Sequence, residues 1–144
     1  KIKQGDPYQW QVEQSVKELV AKLSIKNLDY VLSYQSRVGP LKWIGPSTET
    51  IIKEEAKKNK IIVVVPVAFV SEHSETLVEL DIEYRKLAEE NGSKQYIRVP
   101  AVKINQDFIN SLKLSILQAG DGEKFTSSIK CPDKFIKCPR LNKL

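Results

Sequence analysis

Methionine is absent from the 144 residues, histidine occurs once and cysteine twice. A chain that opens on Lys1 with no methionine is expected to be a piece of a longer polypeptide. Cys131 and Cys138 are too few for a disulfide scaffold. With six residues between them and no histidine nearby they also fall short of a zinc site, so ordinary reduced thiols are expected. The longest apolar run, Ile61 to Val70, contains Pro66 and stops far short of the roughly 18 residues that span a membrane, so a soluble protein is expected. No signal peptide is visible, because Lys1 and Lys3 lead into Gly5-Asp6-Pro7-Tyr8 and not into an apolar core. With 41% apolar and 28% charged residues the chain has the composition of one globular domain.

The net charge of +5 is local. Lys124, Lys130, Lys134, Lys137, Arg140 and Lys143 face a single acid, Asp133, over residues 124–144, which leaves 17 side chains of each sign in residues 1–123. Nucleic-acid binding needs a basic stripe on the folded body with stacking aromatics between the charges, and none is present, so nucleic acid is not an expected partner.

Asp6 and Pro7 start a helix over residues 7–23, in which Val12, Val16, Leu19, Val20 and Leu23 recur at helical spacing. Tyr30 to Ser36 reads as a first strand, followed by a loop between Gly39-Pro40 and Gly45-Pro46. Ser47 or Thr48 caps a second helix to about Lys58, ended by Asn59. Ile61 to Phe69 reads as a strand buried on both faces, with a break at Pro66. A long helix is expected from Ser71 to Asn91, stopped by Gly92, then a third strand from Gln95 to Val102. Asn105 caps a last helix over residues 106–118. The alternation predicts an α/β fold: one doubly wound, Rossmann-like parallel sheet that lacks its first strand, over residues 1–118, with an irregular basic extension at 119–144.

In open α/β sheets ligands collect beyond the carboxyl ends of the strands. That rule selects Gln35, Ser36, Arg37 and the Trp43 loop, then Ser71 to Glu75, then Lys103 to Asn105. The middle group holds His73 between Glu72 and Glu75. Acids in a first turn gain about 0.3–1 kcal/mol each from the helix dipole, and a lone histidine can simply be a hydrogen-bonded residue of the sheet edge, so a structural reading stands beside a functional one. The helix that follows adds a row. Glu75, Glu79 and Glu83 are four apart, each about 40° from the last at about 100° per residue. Asp81 has Arg85 at i+4 and Glu83 has Lys86 at i+3, but Glu75 and Glu79 have no basic residue three or four places onward. Such a row repels itself by a few tenths of a kcal/mol per pair and gains from a bound cation. Oxygen ligands with one imidazole suit a loosely held divalent ion such as Fe²⁺ or Mg²⁺. Trp43, on a loop stiffened by two Gly-Pro pairs, is placed either to stack on a flat ligand or to fill the core, the commoner fate of a lone tryptophan.

Four segments carry a resemblance: Gly5-Asp6-Pro7-Tyr8; Tyr-Gln-Ser-Arg-Val-Gly-Pro at 34–40; Trp43-Ile44-Gly45-Pro46; and Val-Ala-Phe-Val-Ser-Glu-His-Ser-Glu-Thr-Leu-Val-Glu-Leu-Asp-Ile-Glu-Tyr at 67–84. In order and spacing, over about residues 5–118, they resemble the carboxy-terminal half of the ferrochelatase family. The resemblance implies insertion of Fe²⁺ into protoporphyrin IX, the last step of haem synthesis, in a cleft between two similar α/β domains. It implies that Glu75 is the active-site glutamate, a metal ligand or proton acceptor, with His73 as its catalytic neighbour. Glu72, Glu79 and Glu83 join Glu75 as candidate metal ligands, and Trp43, Ser36, Gln35 and Tyr8 are candidate porphyrin contacts. Two pyrrole N–H protons leave as the metal enters, and paired carboxylates beside a histidine can serve as the required bases.

Two departures qualify the resemblance. The family's catalytic histidine precedes Gly-Asp-Pro-Tyr on a strand that lies upstream of Lys1, so the amino-terminal domain is an expected partner and the chain alone is expected to be inactive. Some members carry a [2Fe–2S] cluster on four cysteines, whereas only Cys131 and Cys138 occur here, so no cluster and no other cofactor is expected, Fe²⁺ being a substrate. A cytoplasmic location is implied, or the mitochondrial matrix in a eukaryote, with peripheral membrane contact. Two alternatives stand beside this: a non-catalytic module that binds metal or porphyrin, and a short homodimeric chelatase for another tetrapyrrole.

Overall fold

A computed structural model describes residues 2–35, 43–120 and 131–138. Ser36, Arg37, Gly39-Pro40 and most of the basic extension lie outside them. The chain forms two units, Ser24–Lys103 and Lys1–Leu23 with Ile104–Leu144.

The unit Ser24–Lys103 is a mixed α/β arrangement around a two-stranded parallel sheet. Its first helix, which we number α2, spans Thr48–Ala56 and is capped by Ser47, whose hydroxyl accepts the Thr50 N–H at 3.2 Å. Thr48, Ile52 and Ala56 recur at four-residue spacing and form the buried stripe. Asn59, at φ +56°, turns the chain out of the helix. Strand β1, Ile61–Val64, pairs in parallel with β2, Gln95–Arg98, with Ile61 opposite Gln95 and Val64 opposite Arg98. The crossover between them contains a π-helical segment, Glu75–Glu83, continued by helix α3, Tyr84–Glu90. Helix α3 stops at Gly92, φ +91°, where the Ser93 and Gly92 N–H groups bond back to the Ala88 and Glu89 carbonyls at 2.9 and 3.0 Å. This paired closure needs a left-handed residue, which glycine supplies without strain. Ile52, Ala88 and Tyr96 form the core, flanked by Ile62, Val64, Tyr84 and Leu87.

Several sequence expectations change here. Residues 30–36 do not build a strand among the described residues: Tyr34 makes one parallel bridge to Ser47, its N–H donating to the Pro46 carbonyl at 2.9 Å. Strand β1 ends at Val64, before Pro66, and the chain then turns through Val67 N–H to Val65 O and Phe69 N–H to Pro66 O. Nor is β1 covered on both faces, since Ile62 and Val64 pack on the core while Ile61 and Val63 remain more than half exposed. The long helix begins at Glu75, four residues later than Ser71.

In the other unit, helix α1 spans Tyr8–Leu23, its first N–H capped by Asp6 Oδ1 at 2.9 Å, and helix α4 spans Gln106–Gly120, capped by Asn105 Oδ1 on the Asp107 and Phe108 N–H groups. Residues 131–138 pack on the start of α1: Phe135 lies 5.8 Å from Trp10, Lys137 N–H donates to Gly5 O at 3.1 Å, and Gln11 Nε2 donates to Cys131 Sγ at 3.5 Å. Both cysteines are buried and neither is in a disulfide. Among the described residues no helix is long and apolar enough to cross a membrane.

Candidate active site

The segment Glu75–Glu83 winds as a π-helix, with the Tyr84 N–H donating to the Glu79 carbonyl, five residues back. A turn closed by i→i+5 bonds takes up more than four residues, so side chains four apart fall short of a full turn, where an α-helix carries them about 40° past it. Glu75, Glu79 and Glu83 therefore run along one face with a lean opposite to the one α-helical spacing predicts. Glu75 and Glu79 are half-buried and Glu83 is exposed.

Glu79 is held from the segment before the Trp43 loop. Gln35 Nε2 donates to Glu79 Oε2 at 2.6 Å, and Gln35 Oε1 accepts from the Tyr84 hydroxyl at 3.0 Å. Burial pushes the Tyr84 hydroxyl pKa up, which keeps it a donor. The Gln35 carbonyl in turn accepts the Trp43 indole N–H at 2.9 Å. One residue thus ties the aromatic loop, the acidic row and α3 together. Trp43 is 42% exposed, so its ring is available to a ligand and does not fill the core.

At the start of the segment, Thr76 is fully buried; its hydroxyl accepts the His73 N–H at 2.9 Å and donates to the His73 carbonyl at 3.0 Å. The Glu75 N–H donates to His73 Nδ1 at 3.2 Å, and the His73 ring lies 5.1 Å from Phe69. A neutral imidazole that accepts at Nδ1 carries its proton on Nε2.

Glu72 faces a different network. Its Oε1 accepts from Arg98 Nη1 at 2.7 Å and from the Ala101 N–H at 3.0 Å. Arg98, with 7% of its side chain exposed, also donates through Nη2 to Asp81 Oδ2 at 3.1 Å, and Asp81 Oδ1 accepts from Arg85 Nη2 at 2.6 Å. The Arg98 guanidinium beside Glu72 holds that carboxyl down at about 2. Arg85 and then Arg98 lower Asp81 as well.

The structure thus brings Gln35, Trp43 and Glu79 together and sets His73 against the Glu75 backbone. Glu72 is committed to Arg98, and Tyr8 stands half-exposed at the first residue of α1 in the other unit. Ser36 lies outside the described residues. Among the described residues no three His, Cys, Asp or Glu side chains converge to hold a metal ion. Sequence reasoning overlooked Tyr84 and Arg98. Tyr84 falls on the packing face of the helix, with its hydroxyl reaching past that face, and Arg98 is an isolated charge in a strand, a placement that signals a buried partner.

The ferrochelatase family model matches residues 1–119. The chain is 62% identical over 146 residues to the ferrochelatase of Pelagibacter ubique (strain HTCC1062), an alignment covering 98% of this chain and 42% of that protein. It is 49% identical over 143 residues to the ferrochelatase of Rickettsia felis, covering 95% and 41% respectively. The chain spans about two fifths of the length of these curated relatives. With the matched residues taking in α1, the acidic row and β2, the chain belongs to the ferrochelatase family.

Proposed function

We propose that this chain supplies the metal-handling wall of an enzyme that inserts Fe²⁺ into protoporphyrin IX. The observation that carries the reading is the junction at Gln35, which fixes an exposed indole and a carboxylate of the acidic row from the same residue. A flat macrocycle stacked on Trp43 then lies beside carboxylates that repel one another and favour a cation.

Charge balance assigns the roles. Fe²⁺ replaces two pyrrole protons, so the site must deliver a dication and accept two protons. Glu75 and Glu79 do both in turn: each carboxylate attracts the ion, and each accepts a proton once the ion has moved on. His73 is less suited as the first acceptor, because its Nδ1 already holds the Glu75 N–H, and it acts as a donor through Nε2. Glu72 remains with Arg98 and fixes the loop before the row. Since no three ligands converge among the described residues, Fe²⁺ is passed along the row as cargo.

The two-stranded sheet belongs, in this proposal, to a doubly wound sheet with a further strand before α1, a reading supported by the uncovered Ile61 and Val63 and by the greater length of the relatives. The activity needs the amino-terminal half, and the enzyme works in the cytoplasm with peripheral contact to the membrane. A resident [2Fe–2S] cluster is not part of the proposal, because Cys131 and Cys138 supply two of the four thiolates required.

The test is Glu75→Gln in the complete polypeptide, which keeps shape and removes the base. Loss of a positioned base lowers kcat for Fe²⁺ insertion by about 10²–10⁴-fold. A variant within twofold of wild type removes Glu75 from the mechanism, and Fe²⁺ insertion by residues 1–144 alone removes the need for the other half.

A further inference from the structure

A helix that changes from i→i+5 to i→i+4 bonding must pass over one backbone carbonyl at the change, because the donor count advances by one. The change occurs at Tyr84, whose N–H donates to Glu79 O and marks the start of α3. The next carbonyl is that of Leu80, a residue 2% exposed, and it accepts the Tyr96 hydroxyl from β2. An unpaired carbonyl at this depth would be costly, and a side chain inserted into the helical ladder is one of the known causes of an altered winding. Two residues along the same strand, Arg98 spans the segment from outside: Nη1 holds Glu72, before its first turn, and Nη2 holds Asp81, in its last turn. Arg85 closes the frame, donating to the Tyr96 carbonyl at 2.8 Å and to Asp81 at 2.6 Å.

We infer that Tyr96 and Arg98 are positioning residues that impose π winding on Glu75–Glu83 and so set the register of Glu75 with Glu79. Neither belongs to the acidic row, and Tyr96 is a core residue. The hydroxyl fixes where the winding ends, and the guanidinium fixes the distance between its two ends. With the hydroxyl gone, Tyr84 N–H is free to take Leu80 O, the segment rewinds toward an α-helix, and Glu79 rotates out of register with Glu75 and away from Gln35.

The consequence for Fe²⁺ rests on the function proposed above, whereas the consequence for winding does not. Tyr96→Phe removes one oxygen from the core and nothing else; Arg98→Lys keeps the charge but can no longer hold two carboxylates with a planar fork. Amide hydrogen exchange at residues 79–85, measured on the complete polypeptide, reads the winding, and steady-state kinetics with varied Fe²⁺ reads the row. Tyr96→Phe is expected to speed exchange at Tyr84 and Arg85 by tenfold or more and to raise KM for Fe²⁺ at least fivefold, with KM for porphyrin unchanged. A general loss of stability would shift both KM values or neither. Arg98→Lys is expected to act in the same direction, with Arg98→Gln more severe. Unchanged exchange in both Tyr96→Phe and Arg98→Lys overturns the inference, as does altered exchange with an unaltered KM for Fe²⁺. If the wild type inserts no metal, the functional reading fails and the exchange data alone decide the question of winding.

Discussion

Replacing Gln35 by leucine keeps the side-chain volume near constant and deletes both amide contacts. The bond to Glu79 is short, 2.6 Å, and made to a carboxylate, a type that contributes about 1.5–3 kcal/mol in proteins. Both partners are half-buried, so solvent screens part of this and a coupling of about 1–2 kcal/mol is expected. The Tyr84 hydroxyl also loses its acceptor, which adds about 1 kcal/mol to the single substitution but cancels in a double-mutant cycle. Urea unfolding followed by circular dichroism on wild type, Gln35→Leu, Glu79→Ala and the double variant yields the coupling directly. The reasoning fails if the two single effects add to within about 0.3 kcal/mol, the scatter of independent sites. Additivity would mean that the amide and the carboxylate do not hold one another in solution and that the aromatic loop is not tied to the row through Gln35.

Glu72 links pH to stability. Its folded carboxyl sits at about 2 against an ordinary 4.5, so its contribution is complete above pH 4.5 and is lost as pH falls toward 2; Glu72→Gln should flatten the stability profile in that window, as read by denaturant midpoints at successive pH values. Gly5→Ala should loosen residues 131–138 from α1, because an added Cβ would meet Ile136 Cγ1 at 2.7 Å and Ile136 N at 3.0 Å on a backbone at φ +88°. Faster proteolysis in that segment would report it, with a cost of about 1–3 kcal/mol.

Helix starts and stops were the most legible features. Asp6, Ser47 and Asn105 each cap the helix that its residue type and place announce, and Gly92 ends α3 as a left-handed residue should. These signals are local, decided by one side chain and the few N–H groups nearest to it. The strands were less legible. The β-branched run from Ile61 onward marks β1 but says nothing of what covers it, so burial on both faces was expected where one face is open. Tyr30 to Tyr34 has strand composition, but the pairing it finds is one bridge to Ser47, and pairing is a long-range property. The acidic row was legible as a spacing of four; its winding was not, because the cause lies in Tyr96 and Arg98, on a strand beyond the end of the helix.

The uncovered side of β1 has a practical meaning for anyone preparing this polypeptide alone. Ile61 and Val63 present β-branched carbons to water, and the edge of β1 away from β2 has no ladder partner among the described residues. At its start Lys60 is paired with Asp29 and Glu55, and Pro66 lies beyond its end. Such a strand is a template for its own kind, so concentrated samples should thicken into stacked, dye-binding assemblies, and a lysine in place of Val63 should keep them clear.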